Sequence, residues 1–291
     1  MSEIQQIQWF PGHMTRTKRQ IQASLGLVDA VAEIIDARVP QSSRNPDLNK
    51  LVAGKPRVVL LNKCDMADPN ETTKWLAYFE KEQTAALTVD CKTGKGLNRF
   101  APLMRQVLQE KLAQWKAKGM VNRGVRVMIV GIPNVGKSSF INRMAGGSRA
   151  RVEDRPGVTR GNQWFSAGKG LELLDTPGVL WPKFDDPAVG EKLAFTGAIK
   201  DQIVDTEQLA GRLLCFLAKH YPAGLQARFK LTQEDLAMDE PYDLLCQVGR
   251  RRGMLISGGE VNTERAAATV LDEFRAGKLG RVTLDPMEGG R

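Results

Sequence analysis

Short apolar and β-branched runs punctuate the first two thirds of the chain, and stretches with helical spacing separate them. The runs are Val28–Ile35, Arg57–Leu61, Ala85–Val89, Val125–Val130, Asn162–Ser166 and Leu171–Leu174, and each predicts a strand. Thr15–Leu25, Glu71–Lys81, Leu97–Lys116 and Lys137–Met144 predict helices, the second opened by the turn Asp68-Pro69-Asn70 and the fourth by a glycine-rich turn. Strands alternating with helices predict an α/β fold with a mostly parallel six-stranded sheet covered on both faces. After about residue 200 the strand signal stops. Thr206–Tyr221 carries a helical stripe at Leu209, Leu213, Leu214, Phe216 and Leu217, followed by helices at Tyr242–Arg252 and Thr263–Arg275. Gly277 is placed to end the last of these. The expected organisation is a sheet domain over 1–199 with an N-terminal arm over 1–26, then an all-helical C-terminal domain over 200–291. Lys118–Gly124 reads as a linker between two halves of the sheet, and the polar, basic, aperiodic Gly146–Gly161 as a mobile loop.

Composition narrows the class. Of 291 residues 42% are hydrophobic, ample for a packed core, and 26% are charged, as in soluble globular proteins. No run approaches the ~18 apolar residues of a membrane span. Met1–Phe10 is polar and lacks the apolar core of a secretory signal. The expectation is a cytoplasmic monomer with no membrane partner. The four cysteines, Cys64, Cys91, Cys215 and Cys246, are scattered and form no C-x-x-C pair, which argues against structural zinc or a disulfide framework. The net charge of +9 is unevenly placed: 29 Lys and Arg oppose 19 Asp and Glu before residue 200, and 13 oppose 14 after it. A basic surface favours polyanions, because binding phosphates releases their counterions, so a nucleic-acid partner is expected.

Gly131-Ile132-Pro133-Asn134-Val135-Gly136-Lys137-Ser138 fits G-x-x-x-x-G-K-[ST] between a strand and a helix. Such a loop turns successive N–H groups toward phosphate oxygens, and the new helix adds its positive end. Val135, Gly136 and Ser139 join Lys137 and Ser138 in the expected nucleotide contacts. Lys137 is expected to neutralise the β- and γ-phosphates and Ser138 to give Mg²⁺ a hydroxyl ligand. Asp175-Thr176-Pro177-Gly178 fits D-x-x-G at a strand end, with Asp175 expected at Mg²⁺ and the Gly178 N–H at the γ-phosphate. Between the two motifs, Thr159 is placed to reach Mg²⁺ and sense the γ-phosphate.

Asn62-Lys63-Cys64-Asp65 fits N-K-x-D after the second strand. Guanine offers N1–H and N2–H, which the Asp65 carboxylate can accept together; Asn62 can meet the Hoogsteen edge, and the Lys63 stem can cover the base. Adenine lacks that donor pair, so the motif predicts GTP over ATP. Cys91-Lys92 stands where GTPases usually show S-A-K, a partial match whose backbone N–H groups are expected near guanine O6. An ordinary GTPase has its phosphate loop first and N-K-x-D late. Here N-K-x-D comes first, so the expected sheet is circularly permuted, the original ends joined and a new break made in a surface loop.

With these motifs the sequence resembles the circularly permuted GTPases, and within them the ribosome biogenesis GTPase A family. The resemblance covers nearly the whole chain. It includes Trp9-Phe10-Pro11-Gly12-His13-Met14, Asp36-Ala37-Arg38-Val39-Pro40, Ile256–Val261 and Gly277-Lys278-Leu279-Gly280. It implies a P-loop GTPase in late assembly of the large ribosomal subunit, partnered by GTP or GDP, the subunit and its rRNA. It also points to His13 as a water-orienting group, since Val179 stands where many GTPases carry glutamine. In potassium-activated GTPases the position of Asn134 helps ligate K⁺, which would act beside the phosphates as an arginine finger does. GTP is expected to hold an rRNA-binding arrangement that GDP releases, with Arg143, Arg149, Arg151, Arg155 and Arg160 on the rRNA and Arg250-Arg251-Arg252 as a second contact. Two other readings stand beside this one: a GTP-dependent RNA-binding scaffold with little turnover, and a permuted GTPase acting on the small subunit.

Overall fold

The computed structural model describes residues 12–120, 123–146, 163–168, 170–181 and 184–287. Among these, six strands form one sheet: β1 Ala30–Asp36, β2 Arg57–Asn62, β3 Ala85–Thr88, β4 Val125–Val130, β5 Gln163–Ser166 and β6 Leu171–Asp175. Their order across the sheet is β3-β2-β1-β4-β6-β5, and every pairing is parallel except β5 with β6. All seven residues of β1 are buried, as a central parallel strand requires. The chain steps outward from β1 through β2 to β3, then returns to lay β4 on the other side of β1. That reversal makes the gap between the carboxyl ends of β1 and β4 the topological switch point, where open α/β sheets hold ligands.

On one face, Ile21, Val28, Val31, Leu48, Val52, Met128, Val130, Trp164, Leu174 and Val179 form one apolar cluster. Ile35, Ala37, Val59, Leu61, Ala67, Trp75 and Phe79 form a second. Glu33 stands between them on β1, almost fully buried, with Arg57 at 3.6 Å and Arg44 at 3.7 Å. The predicted helix over Leu97–Lys116 divides into Phe100–Val107 and Gln109–Ala117. The hydrogen bonding still runs through Leu108, which donates to Met104 O at 3.1 Å and accepts from Leu112 N at 2.9 Å. Phe100 meets Phe140 edge to face at 5.0 Å, anchoring the helix Lys137–Met144 that follows β4.

The chain separates into two compact units: one is drawn from Trp9–Pro182 and Asp285–Arg291, the other from Lys183–Leu284. The division therefore differs from the expected 199/200 at both ends. The helix Pro187–Phe195, capped by the Asp186 carboxylate, packs within the helical unit. Arg275 holds it there by donating to Phe195 O at 3.1 Å and Ala194 O at 2.8 Å, and Arg212 pairs with Glu191 at 3.3 Å. The helical unit also contains Thr206–His220, Pro222–Phe229, Gln233–Leu236, Pro241–Arg251 and Thr263–Arg275. At the far end, Asp285 belongs with the sheet. Its carboxylate accepts from Ser42 N at 2.7 Å and Ser42 Oγ at 2.9 Å, and its carbonyl accepts from Trp75 Nε1 at 2.9 Å.

Candidate nucleotide site

The carboxyl ends of β1, β2, β4 and β6 bring the sequence motifs together. Gly131–Gly136 turns directly out of β4, and Lys137 opens the following helix. Gly136 has φ +103°, a left-handed conformation in which a Cβ would run into the Asn62 amide. Glycine is therefore required both by the turn and by the close approach of N-K-x-D. The Lys137 ammonium is buried within the loop and donates to Ile132 O at 2.8 Å. Burial lowers its pKa to about 8, and Asp175 opposes that shift. Burial raises the Asp175 carboxyl, with Lys137 acting against it. Asn134, Ser138 and Ser139 are exposed on the rim.

The D-x-x-G segment lies against this loop. A Cβ on Gly178 would stand 2.8 Å from Pro133 N and 2.9 Å from Lys137 Nζ, so only glycine allows the approach. Val179 N donates to Gly131 O at 3.2 Å, and Thr176 Oγ1 donates to Ile129 O at 2.6 Å. The Val179 side chain is 1% exposed and belongs to the first apolar cluster, and its carbonyl accepts from Asn45 Nδ2 at 2.8 Å. Valine at this position is thus a core residue, directed into the fold.

The N-K-x-D motif follows β2 and is bonded to the phosphate loop in two places. Asn62 Nδ2 donates to Val135 O at 2.7 Å, and Lys63 Nζ donates to Asn134 O at 3.0 Å. Asn62 Oδ1 also accepts from Cys91 N at 3.0 Å. Asn62 therefore joins three loops, a role its identity in the motif did not announce. Asp65 is exposed. The backbone N–H groups expected near guanine O6 have protein acceptors: Cys91 N donates to Asn62 Oδ1, and Lys92 N to Asp90 Oδ1 at 2.8 Å. The Cys91 thiol is buried, which pushes its pKa up to about 12, with Asp90 and Cys64 adding to the effect. It is an inert core thiol. All four cysteines are free.

Arg143, one of the residues expected on rRNA, donates to Lys92 O and helps close the base loop. Within the second basic cluster, Arg251 pairs with Asp235 at 2.8 Å and Arg252 with Glu273 at 3.2 Å, so both serve the helical unit internally. His13 lies in the first turn of the helix Gly12–Ser24, and its side chain falls outside the described residues. Thr159, Arg149, Arg151, Arg155 and Arg160 also lie outside them.

Among the described residues no group of three or more His, Cys, Asp or Glu gathers to hold a metal. The donors at hand are the Ser138 hydroxyl and the Asp175 carboxylate. Two hard oxygens beside a phosphate loop suit a cation that completes its shell with phosphate and water, which is how Mg²⁺ binds.

Fold and site together define a P-loop protein that hydrolyses GTP. A family model described as "50S ribosome-binding GTPase" matches residues 126–250, a span that starts on β4 and leaves N-K-x-D upstream. Ribosome biogenesis GTPase A of Priestia megaterium is 49% identical over 96% of this chain and 96% of its own length. The Bacillus cereus protein of the same name is 45% identical over 97% and 94%. A GDP-bound structure of YlqF superposes with a TM-score of 0.64 at 29% identity, covering 93% of this chain and 100% of that one. The chain belongs to the ribosome biogenesis GTPase A family.

Proposed function

We propose that this ribosome-biogenesis GTPase is circularly permuted, that it binds Mg²⁺–GTP at the carboxyl ends of β1, β2, β4 and β6, and that it acts in late maturation of the large ribosomal subunit. One observation carries the reading. Asn62 and Lys63 bond to Val135 and Asn134 across 73 and 71 positions of sequence, so the base-reading and phosphate-binding segments share one cleft. Asp65 accepts guanine N1–H and N2–H. The N–H groups of Val135, Gly136 and Ser139 and the Lys137 ammonium hold the phosphates, and the Gly178 N–H meets the γ-phosphate. Ser138 and Asp175, with Thr159, hold Mg²⁺, which neutralises charge on the phosphates when bound.

Val179 lies in the core, so no side chain at that position orients the attacking water. The reading therefore assigns water orientation to this chain's own His13 once the subunit has docked, and charge stabilisation to K⁺ beside Asn134. The match to the 50S ribosome-binding GTPase family supports the large subunit. The basic first two thirds of the chain supports rRNA contact, and the protein works in the cytoplasm as a monomer.

One assay tests this: GTP hydrolysis with and without purified subunits of each size, in K⁺ and in Na⁺, for wild type and His13→Ala. Stimulation by the large subunit in K⁺, lowered by at least about tenfold in His13→Ala, is expected. Stimulation by the small subunit alone, or by neither, overturns the proposal.

A further inference from the structure

We propose that Asp36 is a positioning residue for guanine-nucleotide binding, acting through Lys63, with Arg38 as the charge that keeps it in place. The inference rests on the nucleotide site proposed above.

Asp36 is the last residue of β1 and lies level with Asn62, the last residue of β2. That register puts the carboxylate beside Lys63. Asp36 Oδ2 accepts from Lys63 Nζ at 2.9 Å, and the same ammonium donates to Asn134 O at 3.0 Å. The lysine head thus spans from the end of β1 to the apex of the phosphate loop, leaving its stem along the base side of the cleft. A lysine side chain has many rotamers, and two fixed anchors on one nitrogen remove most of them. The Lys63 backbone is itself left-handed, with φ +60°, which a non-glycine residue adopts at a cost in strain. The side-chain anchors hold that conformation.

Arg38 explains how a carboxylate persists at this place. Asp36 and Arg38 are 2% and 1% exposed. The guanidinium grips the carboxylate in a fork, Nε to Oδ1 at 3.0 Å and Nη2 to Oδ2 at 2.8 Å, and Arg38 N adds a bond to Oδ1 at 3.0 Å. Asp36 N donates to Ser43 Oγ at 3.1 Å, tying down the backbone. Burial alone would raise the carboxyl, but Arg38 and Lys63 outweigh it and hold it well below the usual carboxylate range. One buried anion therefore sits between two cations, and only Lys63 reaches the nucleotide side.

The test is a double-mutant cycle on affinity for fluorescent GDP and for a non-hydrolysable GTP analogue, using the full-length chain. Asp36→Asn is expected to weaken both ligands about tenfold, leaving kcat at saturating GTP within about twofold of wild type. Lys63→Met should weaken them by a similar factor, and the double variant should lose little beyond either single one. A general structural role would instead give losses that multiply and a fall in kcat, and either result overturns the proposal. Unchanged affinity in Asp36→Asn overturns it too. Unchanged affinity in Lys63→Met would bring down the nucleotide site itself, and the proposal with it. If Asp36→Asn melts too early for titration, the paired Asp36→Asn/Arg38→Gln variant, which removes both buried charges, takes its place in the same cycle.

Discussion

Glu33 and Asp36 leave β1 three residues apart, on opposite faces of the sheet, and meet different company. Glu33 faces the apolar clusters: burial raises its pKa, and Arg57 and Arg44, both beyond 3.5 Å, only partly oppose this. Asp36 is gripped at hydrogen-bond distance, and its pKa falls. The two therefore impose opposite pH slopes. Below about pH 3.9 the unfolded chain takes up a proton that folded Asp36 refuses, so the stability from Asp36 is present above that pH and is lost in acid. Above about pH 4.3 unfolded Glu33 ionises before folded Glu33 does, so stability falls with rising pH until the folded group ionises. Thermal melts from about pH 2 to about pH 8 should show the acid limb flattened in Asp36→Asn and the falling limb removed in Glu33→Gln. Residue type and spacing made Asn62, Lys63, Lys137 and Asp175 candidates, and the structure brings them together at the strand ends. The roles of Asp36, Arg38 and Asn62 as ties were not legible, because they depend on which strand lies beside which and in what register.

At the scale of elements, five strands were legible because a buried parallel strand needs a short, mostly apolar run, while the antiparallel edge strand β5 showed only Trp164-Phe165 between polar ends. Short helices were less so. Pro46–Val52 and Pro187–Phe195 are too brief for periodicity to show, yet both carry a capping residue before a helix-opening proline, Asn45-Pro46 and Asp186-Pro187. The same signature at Asp68-Pro69 marked the helix Pro69–Lys81. Asn45 is fully buried and has two tasks: Oδ1 accepts from Asp47 N at 2.9 Å as the helix cap, and Nδ2 donates to Val179 O. Asn45→Ala removes both and should cost about 1–3 kcal/mol in urea unfolding. Asn45→Asp keeps the cap and loses the donor. It also sets a buried carboxylate against the Val179 carbonyl, so it is expected to cost at least as much stability as Asn45→Ala and to lower GTP turnover, because the segment after Gly178 loses a tie to the fold. Wild-type turnover in Asn45→Asp would show that the Val179 tie has no bearing on hydrolysis.

Across the whole molecule, the expectation of a sheet unit followed by a helical unit captured the kinds of structure but not the path of the chain. A local pattern says nothing about where a non-periodic segment returns, and Asp285-Pro286-Met287 carries no motif. It nevertheless rejoins the sheet unit, through Ser42, Trp75 and a bond from Met287 N to Glu71 Oε2 at 2.7 Å. Asp285→Ala strips a charged acceptor from Ser42 and is expected to cost the sheet unit about 1.5–3 kcal/mol. The check is guanine-nucleotide-protected unfolding: the nucleotide-linked transition should move to lower denaturant while the helical signal stays in place.

Ser42 and Asp285 are 243 positions apart. A polypeptide is made from its amino end, so Ser42 and Trp75 leave the ribosome long before their partner has been translated. Until residue 285 has been made, these donors have no such acceptor, so this closure waits on a segment far downstream of the strands it fastens. A message cut short upstream of codon 285 would leave Ser42 and Trp75 without that fastening.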